Sequence, residues 1–486
     1  MNPIMLIDIY KLDHRRQYPA ATTRVYANWT PRESRIPGIN HVVLFGLQAF
    51  LDRYLGREFG AFFAAPVDEV AERYTRRVNG VLGQNEIGVE HIRALHALQY
   101  LPLEFRALPE GTLCPLRVPM FTVENTHDDF AWLTNYIETL TSCELWMPCT
   151  SATTGNAMRR LLDAAAAATG SPAEFVQWQG HDFSFRGMPG VQAAASSGGG
   201  HLLSFTGTDT VPALDWIEEF YGPLPDEYLL GGSVAATEHS VMCAGGQDSE
   251  LETFDRLLTL YPTGIVSIVS DTWDLFGSVL ARIIPALKER ILARPGKIVI
   301  RPDTGNPADI VCGDPSAEPG SLESKGVIEL LWETFGGTVT STGHRLLDSH
   351  IGCIYGDAIT LGRAKEICER LAAKGFASAN MVFGIGSFSY QFVTRDTFGF
   401  AMKATWCKVD GEARDIFKLP KTGNGMKNSA KGRLAVLRGA DGELELINQA
   451  TAQQESDSLL RPVWRDGRFL VRQTFPEIRE RLHPKR

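Results

Sequence analysis

The chain has 486 residues, 44% hydrophobic and 22% charged, with 48 Lys and Arg against 57 Asp and Glu, a formal net charge of −9. At about 150 residues per domain this length allows two or three domains with a large buried core, and the composition excludes disorder, coiled coil and collagen-like structure. The acidic balance argues against a general nucleic-acid binder, while a local basic site for a phosphorylated small molecule remains open.

The opening segment, Met1 to Asp8, carries no basic region and meets a carboxylate after a very short apolar run, so it does not read as a secretory signal. No stretch approaches the roughly 20 uninterrupted apolar residues of a membrane span. Residues 46–55 and 67–82 place apolar side chains at i, i+3 and i+4, which predicts helices packed by one face. From about 149 the texture changes. Six β-rich runs end at Asp209, His239, Asp271, Asp303, Asp357 and Gly386, the first four endpoints 30, 32 and 32 residues apart. That interval is the size of one βα unit and predicts a parallel sheet covered on both faces. If the sheet closes as a barrel, chemistry gathers at the C-terminal ends of the strands, where these charged residues fall. The longer interval before Asp357 contains a Gly/Pro/Ser-rich piece, 313–324, that reads as an inserted loop. From about 395 there follow short strands, a Gly/Lys-rich loop at 421–433 and an alternating stretch around Asp441-Gly442, a hairpin signal. The expected fold is α/β: an irregular TIM-like (β/α) barrel over 149–387, with a companion α+β domain built from 1–148 and 388–486. The eight cysteines show no C-x-x-C pair and no zinc-finger spacing, which predicts a reduced, cytoplasmic chain without a disulfide framework or a structural metal.

Several constellations could carry chemistry. In Arg301-Pro302-Asp303-Thr304-Gly305-Asn306-Pro307 a guanidinium could hold a phosphate and a carboxylate a ribose hydroxyl or a magnesium water; a surface ion pair beside a turn reads equally well from this segment alone. Gly356-Asp357 repeats the arrangement one strand later, and Gly384-Ile385-Gly386-Ser387 offers bare amides to an anion. The latter is a poor match to a dinucleotide fingerprint, and no Walker-type loop occurs, so phosphate would be held by a barrel rim. His239 in Thr237-Glu238-His239-Ser240 falls in register with Asp209, Asp271 and Asp303, where an imidazole could act as a base or a phosphoryl acceptor oriented by a neighbouring carboxylate. In His181-Asp182-Phe183-Ser184-Phe185-Arg186-Gly187 an aromatic platform for a flat ring would stand beside Arg186; the bland alternative is a core Phe at a helix start. Asp209 could accept from an amide NH2 and would repel a carboxylate.

Eight segments in order, Asp8-Ile9-Tyr10-Lys11, 181–187, 205–210, 237–240, 270–274, 301–307, 355–357 and 394–396, together resemble the nicotinate and nicotinamide phosphoribosyltransferase family, its nicotinamide branch. The resemblance implies that nicotinamide and phosphoribosyl pyrophosphate give nicotinamide mononucleotide and pyrophosphate, the first step of NAD salvage, with Mg2+ as cofactor and ATP as a coupled co-substrate. It implies His239 and Asp303 as catalytic residues, His239 being transiently phosphorylated when ATP is used. Phe183 and Tyr10 would clamp the pyridine ring, and Asp209 would accept its amide. Arg186, Arg301 and His239 would serve the pyrophosphate, and Asp303 and Asp357 the ribose hydroxyls or magnesium. Ser233, Ser267, Gly356, Gly386 and Ser387 join the substrate-binding set, with Ser387-Phe388 standing where the family tends to a longer glycine run. Asp8, Tyr10, Arg395 and Lys403 would come from the second subunit of an obligate homodimer with shared active sites. Arg32, Lys418 and Lys427 are the candidates for ATP or pyrophosphate phosphates. Neither nucleic acid nor membrane is an expected partner. The nearest rival is a nicotinate-specific enzyme, and a non-catalytic nucleotide-sensing barrel is the alternative from another class.

Overall fold

The computed structural model describes residues 2–356, 358–417 and 430–484, and the chain divides into two compact units. Unit 1 comprises Met1–Thr153, Ile217–Pro225 and Val393–Arg486; unit 2 comprises Thr154–Trp216 and Asp226–Phe392.

Unit 1 is built on a seven-stranded antiparallel sheet in the order Glu412–Asp415, Ala401–Val409, Thr22–Thr30, Phe121–Asn125, Leu103–Ala107, Arg461–Arg465, Arg468–Phe469. Thr22–Thr30 lies between a C-terminal and an N-terminal neighbour, Ala401–Val409 and Phe121–Asn125, so backbone hydrogen bonds join the two ends of the chain in one sheet. Buried Trp29 stacks on Phe121 and Phe400 at ring separations of 6.0 and 5.3 Å. The helix expected over 67–82 forms at Val67–Leu82 and buries Val70, Ala71, Tyr74 and Val78, one face of a 3.6-residue repeat. The helix expected over 46–55 starts at Leu47 and continues as a π-helical stretch, Leu51–Glu58. Around Asp441-Gly442 the strands Leu434–Arg438 and Leu444–Asn448 pair antiparallel, and Gly442 takes φ +85° in the turn between them.

Unit 2 carries seven strands: β1 (Gly180–Asp182), β2 (Gly207–Thr208), β3 (Ala235–Ala236), β4 (Gly264–Val269), β5 (Gly296–Arg301), β6 (Ile351–Tyr355) and β7 (Met381–Ile385). They form one sheet in the order β2-β1-β7-β6-β5-β4-β3, every neighbouring pair parallel. At its edges, the Thr208 N–H donates to the Gly232 carbonyl at 3.0 Å and the Gly232 N–H to the Thr206 carbonyl at 2.8 Å, which joins β2 to the segment entering β3. The parallel α/β architecture follows from strands whose buried residues, such as Val266, Ile268, Ile298, Ile300, Cys353 and Phe383, join helix residues Leu257, Val279, Leu331 and Ile367 in one apolar cluster. Each Val, Leu, Ile or Phe among them contributes about 1.5–3 kcal/mol on burial.

Two elements differ from the sequence reading. The first two residues of the segment 181–187, His181 and Asp182, belong to a strand, β1, and so stand in the sheet, while Phe183 follows it and Phe185–Gly187 forms a 3-10 turn. The runs ending at Asp209 and His239 supply only two strand residues each: the first begins inside the helix Val191–Leu202, the second ends in the helix His239–Gly245, and short apolar runs do not distinguish strand from buried helix. No helix among the described residues is long and apolar enough to cross a membrane.

Candidate active site

The segment from Arg301 to Pro307 folds as its residues require. Arg301 ends β5, Gly305 turns the chain at φ +101°, the Asn306 side chain accepts from the Ala308 N–H at 3.0 Å, and Pro307 opens the helix Pro307–Cys312. The Tyr355 hydroxyl donates to the Gly305 carbonyl at 3.0 Å and ties the turn to β6. Asp303 lies so close to Gly356 that a Cβ there would stand 2.6 Å from its Oδ1, which accounts for glycine at that position. Arg301 donates to the carbonyl of Thr237, at the end of β3. Burial draws the Arg301 pKa down while Asp303, Asp209 and Asp271 push it back, so an essentially permanent cation stands among three carboxylates.

His239 opens the short helix His239–Gly245. Its Nε2 lies 3.4 Å from Oδ1 of Asp271, whose side chain is only 8% exposed against 45% for the imidazole. Asp271 Oδ2 accepts the backbone N–H groups of Asp303 and Thr304 at 2.8 and 2.7 Å, and Oδ1 has no hydrogen-bond partner. The carboxylate is therefore anchored to the turn and turned toward the imidazole, an arrangement suited to orienting a nucleophilic or basic histidine. Sequence reasoning placed Asp271 in the register but assigned it no role; its spacing from His239 was the available signal.

On the opposite edge of the sheet, Asp209 follows β2, and its Oδ1 accepts from His181 Nε2 at 2.8 Å and from the Ser233 hydroxyl. Burial alone would raise the Asp209 pKa. The hydrogen bonds from His181 and Ser233, with the charges of His181 and Arg301, outweigh it and hold the group below the ordinary carboxylate value. Phe183 follows β1, donates its N–H to the Ile385 carbonyl at 2.9 Å and sets its ring 4.6 Å from that of His181. A Cβ on Gly384 would come within 2.8 Å of the Phe183 ring, so glycine in β7 makes the place in which that ring rests.

These groups line one cavity of about 520 Å³, with Phe183, Arg186, Asp209, His239, Arg301, Asp303, Gly356, Gly386 and Ser387 all in its wall. Phe185, Gly187, Thr210 and Glu238, which carried no assigned role, line it too. Ser233 reaches the site through Asp209. Ser267 lies within β4, buried with an unpartnered hydroxyl, and does not line the cavity. Asp8, Tyr10 and Arg395 belong to unit 1, where they share a smaller cavity of about 250 Å³ with Glu138, Thr139 and Trp146. Tyr10 is 61% exposed, and Asp8 accepts from the Thr139 hydroxyl at 2.7 Å. Lys403 projects from the strand Ala401–Val409 opposite Asn28, and Arg32 donates through Nε to the Gly399 carbonyl at 2.7 Å. Asp357, Lys418 and Lys427 lie outside the described residues.

The sequence profile of the nicotinate phosphoribosyltransferase (NAPRTase) family matches residues 178–468, and that of the nicotinamide phosphoribosyltransferase N-terminal domain matches residues 2–92. The chain is 50% identical to a nicotinamide phosphoribosyltransferase of Acinetobacter baylyi, over 99% of its own length and 97% of the relative's. It is 35% identical to one from Mycoplasma pneumoniae, over 88% and 94%, and 32% identical to one from Xanthomonas campestris pv. campestris, over 98% and 97%. The fold is similar to that of human nicotinic acid phosphoribosyltransferase, with a TM-score of 0.55 and 18% identity over 98% of this chain and 93% of that one.

Proposed function

The chain belongs to the nicotinamide phosphoribosyltransferase family, and from that premise we propose how its cavity divides the work of the reaction. The enzyme is a pentosyltransferase of NAD salvage: it transfers the phosphoribosyl group of phosphoribosyl pyrophosphate to nicotinamide, giving nicotinamide mononucleotide and pyrophosphate. The ring nitrogen attacks the anomeric carbon while the bond to pyrophosphate breaks and its electron pair leaves with the phosphate oxygen. Positive charge develops on the sugar and negative charge on the leaving group, so carboxylates are useful near the ribose and cations near the pyrophosphate.

One observation carries this assignment: an aromatic ring and an ionised carboxylate, Phe183 and Asp209, line the same cavity as Arg186, Arg301, Asp303 and His239. Phe183 offers its face to the pyridine, and Asp209 accepts from the carboxamide. Arg186 and Arg301 meet the pyrophosphate, and Asp303 meets the ribose. The oxygen donors of the cavity, Asp303 foremost, suit magnesium carried on phosphate oxygens, where the ion would neutralise the departing charge. In the ATP-coupled mode the His239 imidazole takes the γ-phosphoryl group and ADP leaves, with Asp271 holding the ring. We read the hydrogen-bonded sheet edges of unit 2 as an irregular barrel and the exposed Tyr10 segment as an arm given to a second copy, so that Tyr10 of the partner subunit closes the clamp on the pyridine. Eight free thiols fit a reduced, cytoplasmic setting.

The nicotinate reading is disfavoured because an ionised Asp209 would face the carboxylate of that substrate. The test is formation of nicotinamide mononucleotide from nicotinamide and phosphoribosyl pyrophosphate, with and without ATP and in competition with nicotinate. Faster turnover of nicotinate would overturn the substrate assignment, and indifference to ATP would overturn the coupling.

A further inference from the structure

His181 has no part in the reaction as described, yet it is tightly held beside Asp209. Its side chain is 11% exposed, its ring lies 4.6 Å from that of Phe183, and its Nε2 is 2.8 Å from Asp209 Oδ1. A carboxylate only accepts hydrogen bonds, so Nε2 is the protonated nitrogen of that pair. On the other edge of the imidazole the backbone of Gly207 packs so closely that a Cβ there would stand 2.7 Å from Nδ1. Gly207 is also the β2 residue paired with His181. The imidazole is thus wedged between a strand backbone and the carboxylate.

Both donors to Asp209, His181 Nε2 and the Ser233 hydroxyl, use the same oxygen, Oδ1. The orientation of the carboxylate is fixed from one side, and Oδ2 is left for a ligand in the cavity that Asp209 lines. A carboxamide N–H can donate to that oxygen, whereas a carboxylate would meet its full charge.

We propose that His181 is a positioning residue that sets the choice between the carboxamide and carboxylate forms of the pyridine substrate, by holding Asp209 through Oδ1 and presenting Oδ2. The inference rests on the reading of Asp209 as the acceptor of the carboxamide. Discrimination then belongs to the His181–Asp209–Ser233 group and Gly207 behind it, and Asp209 without His181 discriminates poorly.

The test uses the full-length enzyme with His181→Leu, which removes the donor, and His181→Gln, whose amide N–H can still donate. Loss of one hydrogen bond to a charged group predicts about a tenfold rise in the nicotinamide KM for His181→Leu. The kcat should stay within about twofold, and the ratio of kcat/KM for nicotinamide over nicotinate should fall about tenfold. The Gln variant should recover most of that ratio, which a purely structural role would not produce. A ratio in the Leu variant equal to the wild type's, or Gln and Leu variants reduced alike in kcat, would overturn the proposal. Should His181→Leu fail to fold, Gly207→Ala carries the test by displacing the imidazole: it must raise the nicotinamide KM in the same direction, and an unchanged KM overturns the inference. Wild-type enzyme that prefers nicotinate would instead remove the reading of Asp209, so the two failures are distinguishable.

Discussion

His239 Nε2 stands 3.4 Å from Oδ1 of Asp271, and the other oxygen of that carboxylate holds the backbone amides of Asp303 and Thr304. One side chain thereby joins the histidine to the turn that bears Asp303. Asp271→Asn should keep one oxygen for the turn amides and turn an NH2 toward His239. If His239 accepts a phosphoryl group from ATP as proposed, the expected result is a loss, on the order of tenfold or more, in the rate of that phosphorylation, with a much smaller effect on the reaction run without ATP. Labelling from γ-labelled ATP beside the uncoupled assay measures both, and equal losses in the two would exclude an orienting role.

Asp209→Asn should lower kcat/KM for nicotinamide by about tenfold and raise it for nicotinate, because the charge that repels the acid is gone and an amide donor takes its place. Steady-state kinetics with each substrate checks the crossing of the two trends. A parallel fall in both would show that Asp209 acts elsewhere than at the carboxamide.

Phe183→Ala removes the ring that rests over Gly384. Loss of one stacking face on a heteroaromatic ring is worth about 1–3 kcal/mol, so KM for nicotinamide should rise about 5- to 150-fold. Direct binding of nicotinamide, measured calorimetrically, should weaken in the same proportion.

If active sites are shared between two copies, mixing Tyr10→Ala and Phe183→Ala enzymes, at nicotinamide far below the raised KM of either variant, restores activity through hybrid dimers carrying one intact site each. Random exchange predicts roughly a quarter of wild-type turnover. Absence of recovery, with subunit exchange verified by mass, would count against the arrangement.

Glu110 in unit 1 offers a pH prediction. It is buried and accepts from the backbone N–H groups of Gly46 and Gln48 and from the Tyr221 hydroxyl. Burial pushes its pKa from 4.5 up to about 7 in spite of those donors. A carboxyl raised in the folded state favours folding below its unfolded pKa and loses that advantage as pH rises through the folded one. Stability should therefore fall by on the order of 3 kcal/mol between about pH 4.5 and 7 from this group. Urea unfolding at several pH values should show the slope, and Glu110→Gln should flatten it whatever its absolute stability; an unchanged slope assigns the titration to another group.

The rim of unit 2 was legible in the sequence because strand ends of a parallel sheet combine regular spacing with a change from apolar to charged residues, as at Asp271, Asp303 and His239. The segment 301–307 was readable further, since its Gly, Asn and Pro each specify a turn or a helix start. The strand that presents Phe183 was not, because Gly180–Asp182 is too short to show alternation. Neither was the His181–Asp209 pair, whose members are 28 residues apart in sequence and meet only because β1 and β2 are neighbours in the sheet. The roles of Asp8, Tyr10, Arg395 and Lys403 came only from resemblance, since no local pattern distinguishes an exposed aromatic arm from an ordinary surface segment.

The placement of Thr22–Thr30 between Phe121–Asn125 and Ala401–Val409 has a cost in time. During synthesis the first neighbour arrives early, but the second is made about 370 residues later. At about 5–20 residues per second, one edge of that strand waits roughly 20–70 s for its partner, while every residue of unit 2 is made in the interval. An unpaired edge is a template for pairing with another nascent chain. Substitutions that weaken Ala401–Val409 should therefore appear first as lower yield and aggregation during expression, before any defect shows in the activity of the molecules that finish folding.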